Sequence, residues 1–168
     1  RRFRIWLDVE LAACEAMVRL GEVPPEDYGV LRKAFDGHAF TAADVARNLS
    51  RWCHAIVART YGHQVIATLA KHASVPVVNA LTDLLHPCQA MADALTILEH
   101  GDLRRDELCY VGDGNNMCHS LLNLAGCLGM RMVVCTPKGY EPDAGILASA
   151  SRLATHNGGQ IRLVAEPL

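Results

Sequence analysis

The chain has 168 residues, of which 51% are hydrophobic and 20% charged, and its formal net charge is −2. This composition is typical of a compact globular domain, alone or with a small appendage, and the near-neutral charge gives no reason to expect a nucleic-acid or anionic-membrane partner. No apolar run approaches the roughly 18 residues that span a bilayer, and acidic residues near the N-terminus argue against a signal peptide, so a soluble cytoplasmic protein is expected.

Residues 1 to about 36 are predicted to be helical. Apolar side chains recur there at three- and four-residue steps and form one face of a first helix. Gly21 is expected to end this helix and Pro25 to open a second short one, after which DGHAF (36–40) breaks the pattern. The residues of the apolar face are Trp6, Val9, Ala13, Met17 and Leu20.

A third helix is predicted to follow residue 40. Thr41 and Asp44 have the spacing of a capping box, in which each residue satisfies the backbone N–H of the other. Val45, Leu49 and Trp52 are predicted to form the buried side of this helix.

From residue 53 onward, short apolar runs alternate with helical segments. Continuous apolar strands joined by helical crossovers are typical of a parallel sheet covered on both faces. We therefore predict an α/β fold, a doubly wound parallel sheet covered by helices and preceded by a short helical N-terminal segment. The predicted strands are 54–58, 75–80, 108–112, 130–136 and 160–166, and the helices between them are 62–73, 87–101, 115–129 and 142–159.

In such a fold, ligands bind in the loops that follow the carboxyl ends of the strands. Polar residues are concentrated in these loops, so we expect the functional site there. The loops are RTYGH, LTDLLHPCQ, GDGNNMCHS and TPKGYEPD.

Arg59 directly follows the first predicted strand. A guanidinium at this place can hold a phosphate or polarise a carbonyl group through paired N–H donors. A solvated surface arginine is the alternative.

The HPCQ stretch begins with His86 at the predicted N-cap of a helix that opens with Pro87. A helix N-terminus favours an anion or a developing oxyanion, to which His86 can donate while Gln89 offers an amide donor and acceptor. The alternative is structural, with His86 as the cap and Gln89 in a capping contact. Cys88 is interpreted as a packing residue rather than as a nucleophile.

The GDGNN stretch places two glycines and two asparagines at the start of another helix. It lacks the GxGxxG spacing of dinucleotide loops, and its carboxamides suit an amino-acid ligand better. Asn and Gly can also serve here only as turn and cap residues. Asp113 is either a ligand contact or the cap, and His119, inside the helix, is interpreted as a satisfied polar neighbour.

Seven cysteines are present, an odd number, and no two have the CxxC spacing. This pattern favours free thiols over a zinc site or a closed disulfide framework. No metal site is predicted.

Together these motifs closely resemble the ornithine carbamoyltransferases. The resemblance covers residues 41–168 and preserves the order and spacing of the motifs. The DGNN and GYEPD elements favour the ornithine type over the related aspartate carbamoyltransferases. The stretches that carry it are DVARNLSRWCHAIVARTYGH, ASVPVVNALTDLLHPCQAMADALTILEHG, YVGDGNNMCHSLL and TPKGYEPD.

The resemblance implies transfer of a carbamoyl group from carbamoyl phosphate to the δ-amine of L-ornithine, with no metal or organic cofactor. Arg59 and His86 would be the catalytic residues and would bind the carbonyl side of carbamoyl phosphate, with Gln89 on its amino group. Asn116 would bind the amino-acid end of ornithine. The family is homotrimeric, but a trimer is not expected for this chain.

The resemblance also divides the chain. Residues 41–101 would be the remainder of the carbamoyl-phosphate-binding domain and 102–168 the start of a truncated ornithine-binding domain. The Ser-Thr-Arg-Thr-Arg phosphate-binding run of the family is not found in the sequence. Residues 1–40 form a separate helical segment, of which 1–36 resemble the N-terminal helices of adenylosuccinate lyase. The alternative function is therefore an inactive truncated or fused fragment with at most partial ligand binding.

Overall fold

The structure, a computed structural model, describes residues 2–35 and 40–165. Every helix and strand predicted from residue 41 onward is present, with ends that differ by a few residues. The interruption at 36–39 and the predicted end of the last strand at residue 166 lie outside the described residues. The elements are α1 (Arg2–Arg19), α2 (Pro25–Phe35), α3 (Ala42–Leu49), β1 (Ile56–Arg59), α4 (His63–His72), β2 (Val77–Leu81), α5 (Pro87–His100), β3 (Glu107–Val111), α6 (Asn116–Leu128), β4 (Arg131–Cys135), α7 (Ala144–His156) and β5 (Gln160–Val164).

The first helix ends as predicted at Gly21, whose φ is +76°. The Gly21 N–H donates to the Val18 carbonyl at 3.0 Å, and the Glu22 N–H donates to the Met17 carbonyl at 3.0 Å. These two bonds form a Schellman motif, which satisfies carbonyl groups that the helix end leaves free.

The apolar face of α1 is exposed along the part that the structure describes. Val9 is 61% and Leu20 75% exposed, and the side chain of Trp6 lies outside the described residues. Contact with α2 includes a hydrogen bond from the Tyr28 hydroxyl to Glu15 Oε2 at 3.4 Å. Apolar periodicity therefore predicted the helix correctly without predicting burial of its face.

The capping box of α3 is confirmed. The Asp44 N–H donates to Thr41 Oγ1 at 3.2 Å, and the Thr41 N–H donates to Asp44 Oδ2 at 3.1 Å. The predicted buried side is wrong in part, because Leu49 is 39% and Trp52 80% exposed. Ala46 is fully buried instead and packs with Ile66 and Leu69 of α4, since a small side chain lets the two helices approach closely.

The α/β class and the parallel pairing of the strands are confirmed, and the five strands form two sheets rather than one. β1 pairs with β2, and β4 lies between β3 and β5. α5 connects the two sheets and contacts both β2 and α6. Apolar strand runs do not specify the neighbours of a strand, so the runs alone did not reveal this division, which falls between the two domains that the resemblance implies.

The main core lies between the second sheet and its helices. α6 and α7 contact each other and pack on the same face, as two successive right-handed crossovers require. The opposite face carries exposed residues such as Cys109 and Val111. The largest fully buried side chains of this core are Leu122, Met130, Met132 and Val134.

No helix in the described part of the chain is long and apolar enough to cross a membrane.

Candidate functional site

The site is built on the carboxyl ends of β1 and β2. The pairing of these strands shifts between Ala58 and Arg59, so that Arg59 lies opposite Leu81. Such an irregularity bends a strand and re-aims the side chains that follow it. Arg59 is exposed at this end of β1, in the position that the sequence predicted.

The loops that follow the two strands are joined by their backbones. The Thr60 N–H donates to the Leu81 carbonyl at 3.1 Å, and the Asp83 N–H donates to the Tyr61 carbonyl at 2.7 Å. Asp83 Oδ1 in turn accepts the N–H of His63, at the start of α4, at 2.9 Å. One carboxylate therefore satisfies a free donor of α4 and fixes the loop after β2.

Thr82 shapes the loop of residues 82–86, which leads to His86. Its side chain is fully buried, and Oγ1 accepts the Leu85 N–H at 3.1 Å. His63 Nδ1 lies 3.0 Å from the same oxygen. A buried hydroxyl with several partners holds a loop in one conformation, because losing any partner leaves a polar group unpaired.

His86 is the N-cap residue of α5 and Pro87 the first helical residue, as predicted, but the His86 side chain makes no capping hydrogen bond. Its Nδ1 atom is buried and has no partner among the described residues. The backbone N–H of His86 donates to Ser120 Oγ at 2.7 Å. The backbone is therefore anchored, while Nδ1 is a buried polar atom for which the described residues supply no partner.

Gln89 does not cap α5 either. Its Nε2 donates to Asp93 Oδ1, one turn along the helix, at 2.9 Å, and the side chain is exposed. The structural alternative predicted for this residue, a capping contact, is thus not observed. Because the amide nitrogen makes this bond, the amide oxygen is the atom of Gln89 available to accept an N–H from a ligand.

Cys88 is exposed, contrary to its predicted role in packing. Its thiol donates to the Asn79 carbonyl at 3.4 Å. The first turn of α5 thus contacts the backbone of β2 through this thiol.

Two polar residues of the GDGNN stretch, Asn115 and Asp113, make hydrogen bonds that form the turn and the cap of α6. Asn115 is the N-cap of α6 and its side chain accepts from the N–H groups of Met117 and Cys118. Asp113 is not the cap, and its Oδ1 accepts from Asn115 Nδ2 at 2.8 Å. The Tyr110 hydroxyl donates to the Asp113 carbonyl at 2.8 Å and thereby supports the turn.

Asn116 is held against the loop after β2. Its side-chain Nδ2 donates to the backbone carbonyl of Thr82 at 2.7 Å. The backbone carbonyl of Asn116 accepts from Ser120 Oγ at 2.6 Å. Because Ser120 Oγ also accepts from the His86 backbone, one hydroxyl joins the two predicted site residues. Sequence reasoning missed both Thr82 and Ser120, although Ser120 lies four residues after Asn116, on the same side of α6.

The third and fourth loops are in contact through a glycine. The Gly114 N–H donates to the Tyr140 carbonyl at 2.7 Å. A Cβ atom at Gly114 would overlap the backbone of Glu141 and Pro142. Only glycine permits this approach, which explains why GDGNN contains a glycine at this position.

His119 is a satisfied polar neighbour, as predicted. Nδ1 lies 3.1 Å from the Leu84 carbonyl oxygen, and Nε2 accepts the Asp143 N–H at 3.0 Å. The ring is buried, so it connects the loop after β2 with the start of α7.

Two groups beside the site have shifted ionisation. Burial, and secondarily the Asp113 carboxylate, raises the pKa of the Cys118 thiol to about 11. Burial also raises the pKa of Tyr110, with smaller contributions from Cys118 and Asp113. Both groups are therefore neutral at pH 7 and act as packing and hydrogen-bonding groups.

The predicted site residues do not all meet through protein contacts. The structure joins His86 to Asn116, whereas no hydrogen bond or ion pair within the described ranges joins Arg59 or Gln89 to them. No group of three or more potential metal ligands is found in the described residues. The arrangement combines a helix N-terminus, a guanidinium and an unpaired imidazole, which together can bind an anion or stabilise an oxyanion.

Comparison with known proteins identifies the family. Residues 13–99 match the domain described as aspartate/ornithine carbamoyltransferase, carbamoyl-P binding domain. Residues 105–168 match the aspartate/ornithine carbamoyltransferase, Asp/Orn binding domain. The first match begins within α1, earlier than the resemblance at residue 41, and the likeness of residues 1–36 to adenylosuccinate lyase stays a prediction.

Individual relatives are similar over about three quarters of the chain. The chain is 50% identical over 129 residues to an ornithine carbamoyltransferase of Pyrococcus horikoshii, which covers 76% of the chain and 41% of the relative. It is 50% identical over 131 residues to one of Shewanella oneidensis, covering 77% and 44% respectively.

The fold agrees with a solved structure of ornithine carbamoyltransferase from Pyrococcus furiosus. The TM-score is 0.73 at 48% identity, covering 76% of this chain and 41% of that one. The chain thus spans about two-fifths of the length of this protein and of the curated relatives that it matches. Two matched domains, in order and together covering most of the sequence, show that the chain belongs to the aspartate/ornithine carbamoyltransferase family.

Proposed function

We propose that this chain carries part of an ornithine carbamoyltransferase site, which transfers a carbamoyl group from carbamoyl phosphate to the δ-amine of L-ornithine. The products are citrulline and phosphate. The observation that carries the proposal is His86, whose Nδ1 is buried and unpaired at the N-terminus of α5. The identity of about 50% to ornithine carbamoyltransferases supports ornithine as the acceptor.

Each residue has a role in the proposal. Arg59 and His86 bind the carbonyl oxygen of carbamoyl phosphate and stabilise the oxyanion that develops on it. Gln89 accepts from the carbamoyl amino group through its amide oxygen, because its amide nitrogen is bonded to Asp93. Asn116 binds the amino-acid end of ornithine.

The reaction needs a neutral amine and an electrophilic carbon. The δ-nitrogen of ornithine forms a bond to the carbamoyl carbon, the carbon–oxygen bond to phosphate then breaks, and the amine gives up one proton. Holding both substrates at one edge of the protein supplies much of the rate enhancement. Neither electron transfer nor a metal-bound water has a part in these steps.

A second candidate function is ligand binding without turnover. It is favoured by the sequence of these 168 residues, in which the Ser-Thr-Arg-Thr-Arg run of the family is not found. Partial binding of carbamoyl phosphate by Arg59, His86 and Gln89 is then expected, without formation of citrulline. Charge-assisted hydrogen bonds contribute about 1.5–3 kcal/mol each, so the loss of several phosphate contacts lowers the rate by orders of magnitude.

Two measurements on the purified chain distinguish these candidates. Citrulline formation reports transfer, and calorimetric titration with carbamoyl phosphate reports binding. His86→Ala is expected to weaken binding about tenfold or more, because it removes a hydrogen-bond donor to the carbonyl group. His100→Ala, at the exposed far end of α5, is the control and should leave binding unchanged.

Binding without citrulline supports the second candidate. Equal binding by wild type and His86→Ala would contradict both, since each places the carbamoyl group at His86.

A further inference from the structure

We propose that His119 is a positioning residue, which holds the loop of His86 and the start of α7 in register through a neutral ring protonated on Nδ1. This inference deepens the proposed function and rests on it for the role of His86. His119 itself would not touch a substrate.

The hydrogen bonds fix the protonation state of the ring. The Leu84 carbonyl oxygen, 3.1 Å from Nδ1, can only accept, so Nδ1 must carry a proton. The Asp143 N–H, 3.0 Å from Nε2, can only donate, so Nε2 must be unprotonated. Both conditions are met only by the neutral Nδ1–H tautomer.

The position of the ring makes these bonds a connection between three segments. Leu84 lies in the 82–86 loop, two residues before His86. His119 is on α6, three residues after Asn116, and Asp143 is the N-cap of α7. One buried ring therefore joins the segments that carry the proposed carbamoyl and amino-acid contacts to the loop that ends in YEPD.

Ser120 holds the same loop as His119. The His86 N–H donates to Ser120 Oγ. The N–H of Leu85, the residue after the ring-bound carbonyl of Leu84, donates to Thr82 Oγ1. Three successive residues, 84 to 86, thus each bind a buried side chain through at least one backbone group. Such a loop has little freedom, and His86 enters a ligand complex already positioned.

The first test needs no substitution. A long-range ¹H–¹⁵N spectrum of the wild-type imidazole rings distinguishes a protonated from an unprotonated nitrogen. At pH 7, His119 is expected to have a protonated Nδ1 and an unprotonated Nε2. A ring protonated on Nε2, alone or together with Nδ1, would overturn the proposal because the Asp143 N–H would then have no acceptor.

The second test separates the two bonds with a matched pair of variants. His119→Asn places an amide nitrogen near the position of Nδ1 and keeps a donor for Leu84. His119→Gln reaches the position of Nε2 and keeps an acceptor for Asp143. Amide exchange at Asp143 is expected to accelerate about tenfold in H119N, and exchange at Leu85 and His86 to accelerate about tenfold in H119Q.

Carbamoyl phosphate is the probe for positioning. Its titration, followed at the His86 ring, is expected to give an apparent Kd about tenfold weaker in H119Q than in H119N, because only H119N keeps the bond to the 82–86 loop. Equal affinities, with equal acceleration of exchange at all three amides, would reduce His119 to a general packing residue and refute the proposal.

The outcomes also separate this inference from the proposed function. If carbamoyl phosphate leaves the His86 ring of the wild type unchanged, the proposed function fails, whereas the connection that His119 makes between the 82–86 loop and α7 does not depend on that result. In that case the tautomer and the exchange pattern still report whether the ring makes the two bonds.

Discussion

Ser120 joins two parts of the candidate site through one hydroxyl group. Its Oγ donates to the Asn116 carbonyl and accepts from the His86 N–H, and the side chain is 4% exposed. A buried donor that loses its acceptor costs about 1–3 kcal/mol, more than the net gain from forming an ordinary hydrogen bond. The hydroxyl therefore has a larger effect on stability than its size suggests.

We expect Ser120→Ala to lower the free energy of unfolding by about 1–3 kcal/mol, because the His86 N–H stays buried without its partner. Urea denaturation followed by circular dichroism measures this change. Ser149→Ala, at an exposed position on α7, should change stability by less than about 0.5 kcal/mol. Similar losses in the two variants would contradict the assigned role.

Cys118 is a second residue whose surroundings decide its chemistry. Its side chain is fully buried, and burial raises the pKa of its thiol to about 11. A thiol must ionise to react, so both access and ionisation oppose modification of Cys118.

At pH 8, iodoacetamide is expected to label Cys88, Cys109 and Cys127, which are exposed, much faster than Cys118. Raising the pKa of a thiol from 9.0 to about 11 reduces its thiolate fraction at pH 8 about 100-fold, and burial slows the reaction further. Mass spectrometry of proteolytic fragments measures the rates. Labelling of all seven cysteines at similar rates in urea is the control, and rapid labelling of Cys118 in the native chain would contradict the expectation.

Helix ends illustrate how one residue type has different importance in different elements. Gly129 and Gly158 both follow helices and both have a positive φ, +65° and +86°. A Cβ atom on Gly129 would overlap the Asn157 carbonyl, whereas a Cβ atom on Gly158 would have no neighbour within 4 Å. The first glycine is needed for conformation and for space, the second for conformation alone.

We expect Gly158→Ala to cost about 1–2 kcal/mol, the strain of a left-handed residue with a Cβ atom. Gly129→Ala is expected to cost about 1–3 kcal/mol more, because the backbone at Asn157 must also move. Thermal unfolding of the two variants measures the difference. A smaller loss of stability for Gly129→Ala than for Gly158→Ala would contradict the close contact between the end of α6 and Asn157.

At the scale of the whole molecule, packing is concentrated around α6 and β4. Met132 and Val134 of β4 and Leu122 of α6 are fully buried. In contrast, α1 leaves Val9 and Leu20 exposed. Local stability follows the number of buried apolar contacts, so it should differ between these parts.

Native-state amide exchange is expected to be slowest in β4 and fastest in α1 and α2, by about three orders of magnitude or more. β4 exchanges only by global unfolding, whereas α1 and α2 can open while the core stays intact. Mass spectrometry of peptides after exchange measures this gradient. Protection of α1 equal to that of β4 would indicate that the helices are covered in solution, and sedimentation would then test for the homotrimer typical of the family.

Sequence patterns determined the elements and the family. Short continuous apolar runs predicted the strands, and the helical segments between them predicted the helices from residue 41 onward, because both signals lie within a single element. The capping box at Thr41 and the helix end at Gly21 were read correctly, since these signals depend on neighbouring residues alone. The ordered motifs also placed Arg59, His86, Gln89 and Asn116 at strand ends and at the starts of the helices that follow, although their roles in binding stay predictions.

Only the tertiary structure decided which of these parts meet. It divided the strands between two sheets, left Trp52 exposed and buried Ala46 in its place. It also brought Ser120 and His119 to the loop of His86, more than 30 residues away in sequence. Local patterns report the environment that a residue requires, but hydrogen bonds between distant loops depend on how the chain folds back, which no short stretch of sequence encodes.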